Sequence, residues 1–255
     1  MIYRAVSWTL MTGVLLVTLV FCSPVVPRET ISGDSVFQVS TLQALFKGVY
    51  DGDFSYEEVM KHGDFGLGTF NALDGEMVAV EGIFYRVDYY GNANAVDPSR
   101  KTPFVTVKHF KPDMVLEIRD SLDYKEFKTR LDSWLKTKNK IYAIKVHGTF
   151  KSIKARSVPR LKKPYPPIEK VIKDQSIINF ADVKGTLVGF RMPAFMNNIN
   201  QPGYHFHFIT DDRQKGGHAL DFIIENALVE IDEARDFRLI IPGTKDFQEA
   251  DFYAE

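Results

Sequence analysis

Segments with the apolar alternation or the continuous apolar runs of β-strands dominate residues 76–241. Helix patterns are fewer, and in each half of the chain they come before the strands. The halves are separated at residues 162–167, where three prolines in four positions are incompatible with regular secondary structure. This order predicts an α+β protein of two subdomains built on large mixed β-sheets with a few flanking helices. We place the subdomains at residues 24–163 and 164–255.

Several segments carry the start signals of helices. Ser40 or Thr41 precedes a face of apolar residues at helical spacing. Residues 55–58 and 123–126 each begin with a capping residue that is followed three positions later by glutamate, the pattern of a capping box. A further short helix is expected after the prolines, where apolar residues recur at helical spacing from Ile168.

The N-terminus has the three parts of a secretory signal peptide. A basic residue at Arg4 is followed by apolar or small residues through Phe21, and small residues continue at 22–23. The alternative is a membrane anchor, because about 17 uncharged residues approach the minimum length for crossing a bilayer. We interpret residues 1–23 as a signal peptide, which predicts a secreted protein without a stable membrane span after cleavage.

Charge and cysteine content restrict the classes of function. The formal net charge of −1 provides no basic surplus for binding nucleic acid. Cys22 is the only cysteine and lies inside the predicted signal peptide. The mature chain is therefore expected to contain no disulfide, and a metal site in it would depend on histidine and carboxylate ligands.

Three histidines lie close together in the C-terminal half, and they predict a metal site. In a β-strand, residues i and i+2 point to the same side about 6.6 Å apart, so His205 and His207 share a face. The polar, glycine-containing stretch 210–217 predicts a turn that returns His218 to a neighbouring strand. Three imidazoles can then bind one Zn²⁺ and leave a coordination position open, as in catalytic zinc sites. Imidazole binds without losing a proton and leaves the ion its full charge as a Lewis acid.

The alternative interpretation is that these histidines are structural or solvent-facing, as an isolated His-x-His pair would be. Half of the six histidines fall within 14 residues, which favours metal binding. The other three, His62, His109 and His147, are scattered, and we interpret them as structural or surface residues. Three imidazoles also accept Mn²⁺ or Fe²⁺, so the pattern does not select the metal.

A glycine-rich stretch at residues 63–76 is the second unusual feature, and it predicts a loop of specific shape. It lacks the lysine of a phosphate-binding loop. The alternative for its end is a plain hairpin turn at Asp74 and Gly75, with Glu76 in solvent beyond it. Arg156 stands at the end of a predicted strand, where most arginines are surface charges.

Several long motifs, in the right order, resemble the acetolactate decarboxylase family. The resemblance runs from about Val39 to Asp251, and its most specific pieces are residues 48–53, 63–76, 185–190 and 203–208. It implies a carbon–carbon lyase that uses zinc to decarboxylate 2-acetolactate, a small-molecule substrate, to acetoin and CO₂. It also implies a two-subdomain fold with large mixed sheets and a homodimer.

The resemblance also assigns roles to individual residues. The zinc ligands of the family match three residues of this chain: His205, His207 and His218. Glu76 and Arg156 match active-site residues of the family near the metal. Thr69 and Leu73 fall where the family lines its substrate pocket.

The C-terminus departs from the family pattern. In the family, the chain continues past the segment that matches residues 246–252 into a tail, which brings a second active-site glutamate to the metal. This chain ends at Glu255, and neither Glu249 nor Glu255 matches that glutamate securely. Three explanations are open: Glu255 serves from a shorter tail, the sequence is truncated, or activity is impaired.

Two further functions are compatible with the residues. A cupin-like metal oxygenase also carries His-x-His on a strand, but usually adds a glutamate a few residues later, where this chain has Asp211 and Asp212. The non-enzymatic alternative is a secreted metal-binding relative that has lost catalysis.

Overall fold

Two large β-sheets account for most of the structure, a computed structural model that describes residues 34–253. The predicted signal peptide at residues 1–23 and the candidate residue Glu255 lie outside the described residues. The predicted α+β class, with large mixed sheets and few helices, is confirmed.

The strands, in chain order, are β1 (Ser35–Val39), β2 (Phe54–Ser55), β3 (Phe65–Thr69), β4 (Glu76–Val80), β5 (Ile83–Val87), β6 (Ala93–Ala95), β7 (Lys101–Thr102), β8 (Val105–Lys108), β9 (Met114–Ile118), β10 (Leu122–Asp123), β11 (Ile141–Ser157), β12 (Ser176–Met192), β13 (Gly203–Thr210), β14 (Gly216–Ala234) and β15 (Asp236–Ile240). The α-helices are α1 (Leu42–Phe46), α2 (Tyr56–Val59), α3 (Tyr124–Trp134), α4 (Ile168–Lys173) and α5 (Lys245–Glu249). Among the described residues, no helix has the length and hydropathy needed to span a bilayer.

The first sheet is mixed, with the strand order β15-β1-β8-β3-β4-β5-β6. β1 and β15 pair in parallel, and the other neighbours pair antiparallel. In the β3–β4 pair, Thr69 lies opposite Glu76. The last residue of β3 and the first residue of β4 are therefore brought to the same end of the sheet.

The second sheet is antiparallel and closes on itself. Its strand order is β10-β14-β11-β12-β13, and β9 also pairs with β14. The beginning of β14 pairs with β13 as well as with β11, so these strands and β12 form a ring. This closure places the first residues of β14 between β11 and β13.

The two sheets are held together by a shared apolar cluster. Val78 and Val80 of β4 pack in it with Val188 and Phe190 of β12 and with Ile209 of β13, and all five side chains are buried. Removing this apolar surface from water favours the contact between the sheets. The packing places β4 against β12 and β13, which positions the start of β4 beside the histidine-bearing strands.

The predicted helix starts are confirmed. The Thr41 side chain accepts a hydrogen bond from the Ala44 amide at 3.2 Å, so Thr41 rather than Ser40 caps α1. Ser55 and Glu58 form the predicted capping box of α2, and the same kind of box begins α3. Each cap satisfies backbone N–H groups that have no partner within the helix.

The glycine-rich stretch is only partly a loop, so the prediction of a loop over residues 63–76 was wrong in its first half. Residues 65–69 form the buried strand β3. A Cβ added at Gly66 would lie 2.2 Å from the Thr106 carbonyl oxygen on β8. Glycine weakens most strands, but here it permits this close approach of two backbones. The connection between β3 and β4 is confined to residues 70–75.

The predicted boundary at residues 163/164 does not coincide with a division between the sheets. β11 precedes the prolines and belongs to the second sheet, whereas β15 follows them and belongs to the first. Residues 158–167 lack helix and strand, as the prolines predict. The division into two subdomains at this point stays a prediction.

Candidate active site

The three clustered histidines are brought together by β13 and β14. His207 of β13 lies directly opposite His218 of β14 in the antiparallel register. His205 lies two residues before His207 and shares its face of the strand. Residues 211–215 form the predicted turn, and β14 begins at Gly216, so His218 already lies within the strand.

The imidazole nitrogens have the spacing that one metal ion requires. His205 Nε2 lies 3.1 Å from His218 Nδ1, which lies 3.3 Å from His207 Nε2. Two nitrogens that share a tetrahedral Zn²⁺ at 2.0–2.1 Å are about 3.3–3.4 Å apart. The three ligand atoms all lie within 4.8 Å of one another, so this group could hold a metal ion. The residues present therefore fit the ion that the sequence predicts.

A backbone carbonyl orients one of the three imidazoles. His207 Nδ1 lies 2.7 Å from the carbonyl oxygen of Met77 in β4. The Nδ1–H group donates to this oxygen, which leaves the Nε2 lone pair directed at the other two histidines. The first sheet thus sets the tautomer of a histidine that belongs to the second.

Burial keeps the three imidazoles neutral and ready to bind a metal. Desolvation, assisted by the charge of Arg156, lowers the pKa of His205 to about 3. Desolvation is also the main cause that lowers the pKa of His207 and His218 well below the ordinary value. Because only neutral imidazole has a free lone pair for a metal, these side chains need not lose a proton first.

Glu76 and Arg156 lie beside the histidines, although they are 80 residues apart in the chain. Glu76 is the first residue of β4, and Arg156 of β11 lies opposite His218 in the register of β11 and β14. Arg156 Nη1 is 3.4 Å from Glu76 Oε1, and His207 Nε2 is 3.5 Å from Glu76 Oε2. The structure therefore places both predicted active-site residues at the histidine cluster.

Glu76 is buried, with 6 % of its surface exposed, so the alternative of a solvated glutamate is wrong. Desolvation raises the pKa of Glu76, and the positive charge of Arg156 offsets part of that rise. Its carboxyl group is thus held between a guanidinium and an imidazole and is itself shielded from water.

The two predicted pocket residues flank Glu76. Thr69 ends β3 opposite Glu76, and its hydroxyl donates to the Gly75 carbonyl oxygen at 2.8 Å. Leu73 is buried and has a positive φ of 50°. Both residues line the same cavity as the three histidines.

The cavity has a volume of about 420 Å³ and a largely apolar wall. Part of this wall was missed by sequence reasoning: Leu42, Leu45 and Phe46 of α1, Ile168 and Ile172 of α4, and Tyr124, Tyr204 and Gln201. The apolar faces of both helices were recognised, but they were not assigned to a cavity. Helical spacing shows that one face of a helix is apolar. Only the tertiary structure shows whether that face packs in the core or lines a cavity.

The other candidate ligands among the described residues lie outside the cluster. Asp211 Oδ1 is 3.6 Å from His147 Nδ1, and Asp212 accepts a hydrogen bond from the Thr210 hydroxyl. Neither aspartate joins the three-histidine group. The carboxylate that the cupin alternative would require is therefore not supplied by these two residues.

Comparison with known proteins relates the whole described fold to one family. Residues 36–254 match the family model for alpha-acetolactate decarboxylase. The alpha-acetolactate decarboxylase of Methylococcus capsulatus is 46 % identical over 85 % of this chain and 83 % of its own length. That of Bacillus licheniformis is 43 % identical over 86 % of this chain and 87 % of its own length.

A solved structure shows the same architecture. The crystal structure of alpha-acetolactate decarboxylase from Bacillus subtilis superposes with a TM-score of 0.85 at 41 % identity. The match covers 86 % of this chain and 94 % of that one. The family model, at residues 36–254, spans both sheets and the residues of the site described above.

Proposed function

This chain belongs to the alpha-acetolactate decarboxylase family and is a carboxy-lyase, and we propose that it converts 2-acetolactate to acetoin and CO₂ with Zn²⁺ bound by its three histidines. One observation carries the proposal: three neutral imidazoles, a buried glutamate and an arginine meet in one cavity. This set combines a metal-binding group, a proton-carrying group and a carboxylate-binding group.

The substrate is a β-keto acid, and its chemistry defines what the site must do. When the bond to the carboxylate breaks, its electron pair flows into the neighbouring ketone and gives an enediolate. A proton must then reach carbon, so that acetolactate and one proton yield acetoin and CO₂. A divalent ion bound by the histidines would supply Lewis acidity toward the carbonyl and hydroxyl oxygens and so stabilise the developing negative charge.

Arg156 orients the carboxylate that leaves as CO₂. Its side chain lines the cavity beside the histidines, and its guanidinium forms an ion pair with Glu76. A guanidinium can bind a carboxylate through two parallel hydrogen bonds and so fix its plane. The contact with Glu76 at 3.4 Å shares the positive charge between two carboxylates. This sharing limits ground-state binding, which by itself would not accelerate the reaction.

Glu76 delivers the proton that completes acetoin. Its carboxyl group faces the cavity from one side, between Arg156 and His207. A proton held there reaches only the near face of the enediolate, so the product is expected to be a single enantiomer. Thr69 and Leu73 form the adjacent wall and keep the substrate's alkyl groups against this side.

The choice of zinc rests on the donor set. Three neutral nitrogens without a thiolate suit Zn²⁺ and leave room for substrate oxygens, although Mn²⁺ and Fe²⁺ accept the same ligands. Metal analysis of the purified protein, expected to give one zinc per chain, tests this part separately from catalysis.

Secretion and dimerisation are further parts of the proposal. The signal-peptide pattern of residues 1–23 supports export of the mature chain. Edman sequencing of protein from the culture medium is expected to begin near residue 24, and retention of the intact N-terminus would contradict this. Family resemblance supports a homodimer, which sedimentation velocity tests directly.

The central test is acetoin production from racemic 2-acetolactate. We expect acetoin to be produced, its production to be lost after chelation, and activity to return when Zn²⁺ is restored. Glu76→Gln is expected to retain zinc and lose at least about a hundredfold in kcat, whereas Glu225→Gln, at an exposed position of β14, serves as the control. Full turnover by Glu76→Gln would remove Glu76 as the proton donor.

The same assay separates the two alternative functions. A metal-binding relative without catalysis would bind zinc and produce no acetoin. A cupin-like oxygenase would contain iron and consume oxygen. The geometry of Asp211 and Asp212 gives no support to the second alternative.

A further inference from the structure

The connection between β3 and β4 has an unusual backbone. Ala72, Leu73 and Gly75 all have positive φ values, of 61°, 50° and 91°. Side chains such as those of alanine and leucine rarely adopt this region, so surrounding contacts must hold them there. The strained segment lies directly before Glu76 and carries Leu73 into the cavity wall.

Asp74 lies at the centre of this segment and does not line the cavity. Its carboxylate accepts hydrogen bonds from two arginines: Arg100 Nη2 lies 2.6 Å from Oδ2, and Arg86 Nη2 donates to Oδ1. The more exposed Arg160 forms a longer ion pair, with Nη1 3.9 Å from Oδ2. Arg86 also donates from Nε to the backbone oxygen of Asp74 at 2.8 Å. Arg86 therefore holds both the side chain and the backbone oxygen of Asp74, and Asp74 itself is only 5 % exposed. We call Asp74, Arg86 and Arg100 the Asp74 clamp.

Both arginines of the clamp are themselves anchored beside the site. Arg86 of β5 lies opposite Met77 of β4, the residue that follows Glu76. The guanidinium of Arg100 lies 4.8 Å from the centre of the Phe70 ring, at the other end of the connection. The clamp thus ties the strained segment to β5, the strand beside β4, and to Phe70, the first residue of the connection.

We propose that Asp74 is a positioning residue of the decarboxylase. It holds Leu73 in the cavity wall and fixes the position of the backbone directly before Glu76, and so the position of the Glu76 side chain in the site. The inference rests on the proposed function for its kinetic part. Without the clamp, Ala72 and Leu73 would relax toward ordinary φ values and move the wall. The backbone hydrogen bonds of Ala72 with Tyr50 and Leu161 would then remain, together with the side-chain bonds of Asn71 to Gly52 and of Thr69 to Gly75.

A role in positioning predicts effects that a role in stability alone would not produce. A shift of Glu76 lowers kcat, because proton delivery depends on its placement to within about 1 Å. A shift of Leu73 changes the discrimination between 2-acetolactate and its homologue with ethyl in place of methyl. If Asp74 only stabilises the fold, the correctly folded variant would keep both the kcat and the substrate ratio of the wild type.

Asp74→Asn in the full, zinc-loaded enzyme is the test, because the amide preserves shape and removes the charge. We expect kcat to fall about tenfold or more and the ratio of kcat/KM for the two substrates to change at least about threefold. Asp232→Asn is the matched control. Asp232 is buried and pairs with Lys108 at 3.0 Å, away from the cavity, so its loss should leave kcat and the substrate ratio unchanged.

Hydrogen exchange provides a readout that does not need turnover. Amides of residues 70–76 are expected to exchange faster in Asp74→Asn than in the wild type, and to be unchanged in Asp232→Asn. If Asp74→Asn does not fold, Arg100→Lys keeps the charge but loses the guanidinium geometry, and a smaller shift in the same direction is expected.

The outcomes separate the inference from the proposed function. If Asp74→Asn had the same kcat, the same substrate ratio and the same hydrogen exchange as the wild type, the positioning role would be overturned. A wild-type protein that does not decarboxylate 2-acetolactate would instead refute the proposed function. In that case, faster exchange at residues 70–76 would still support the clamp, and unchanged exchange would refute it.

Discussion

His207 of the second sheet is oriented by Met77 of the first, through a hydrogen bond of 2.7 Å from Nδ1 to the carbonyl oxygen. Met77 directly follows Glu76, so one strand both orients an imidazole of the candidate metal site and carries the proposed proton donor. The site therefore exists only when the two sheets pack together. Packing of β4 against β13 is a requirement for the chemistry as well as for stability.

Removal of a histidine of the cluster should strongly weaken metal binding. In His207→Ala, two imidazoles remain and the donor set that leaves one open position is lost, so metal affinity should fall at least about a hundredfold. Metal analysis after dialysis measures this directly. His147→Ala is the control, because His147 is paired with Asp211 outside the cluster. A full zinc content in His207→Ala would show that the ion is held elsewhere.

Replacement of Arg156 by glutamine should separate catalysis from metal binding. We expect zinc content to stay near one per chain and kcat/KM for 2-acetolactate to fall about a hundredfold, because the carboxylate loses its orienting partner. Steady-state kinetics with metal analysis of the same sample tests this. Arg119→Gln is a suitable control, because the Arg119 side chain is exposed and pairs with the nearby, exposed Glu117. Unchanged kinetics in Arg156→Gln would exclude a direct role.

The contribution of Asp74 to stability should disappear in acid. Burial raises the pKa of Asp74, but hydrogen bonds from Arg100 and Arg86 lower it more, so the net pKa lies below its ordinary value. A lowered folded-state pKa stabilises the fold above the unfolded-state value, near 3.9, and this contribution is lost as pH falls through the folded-state value. Urea unfolding of metal-free wild type and Asp74→Asn should therefore give a free-energy difference that is constant near neutrality and shrinks below about pH 4. A difference that grew on acidification would contradict the sign of the shift.

A buried polar network should make Asn200 important for stability. Its side-chain amide donates to Gln38 Oε1 at 2.5 Å and to Thr106 Oγ1 at 3.0 Å, and all three residues are buried. Asn200→Ala removes the donor to Thr106 Oγ1 and leaves Gln38 Oε1 with the Thr106 hydroxyl, at 3.2 Å, as its remaining donor. We expect a loss of about 1–3 kcal/mol in the free energy of unfolding. Denaturant titration measures it. Asn197→Ala, at an exposed position in the same loop, should change stability by less than about 0.5 kcal/mol.

The histidine cluster could be predicted from the sequence because its geometry depends on residues that are close together in the chain. His205 and His207 share a face because strand residues alternate, and a short turn returns the chain to His218. These relations are local, and they depend on residues within a single hairpin. Capping boxes at α2 and α3 were predictable for the same reason, since each involves residues three positions apart.

The sequence alone determined the α+β class, the helix starts and the histidine cluster, because each depends on a pattern within a few neighbouring residues. Only the tertiary structure decided that Arg156 lies opposite His218 and 3.4 Å from Glu76, and that β3 is a strand despite its glycines. It also decided that α1 and α4 line the cavity and that Asp74 is clamped by Arg86 and Arg100. These contacts join residues that are distant in the chain. They depend on sheet order, ring closure and the packing of one sheet on the other, which no local pattern specifies.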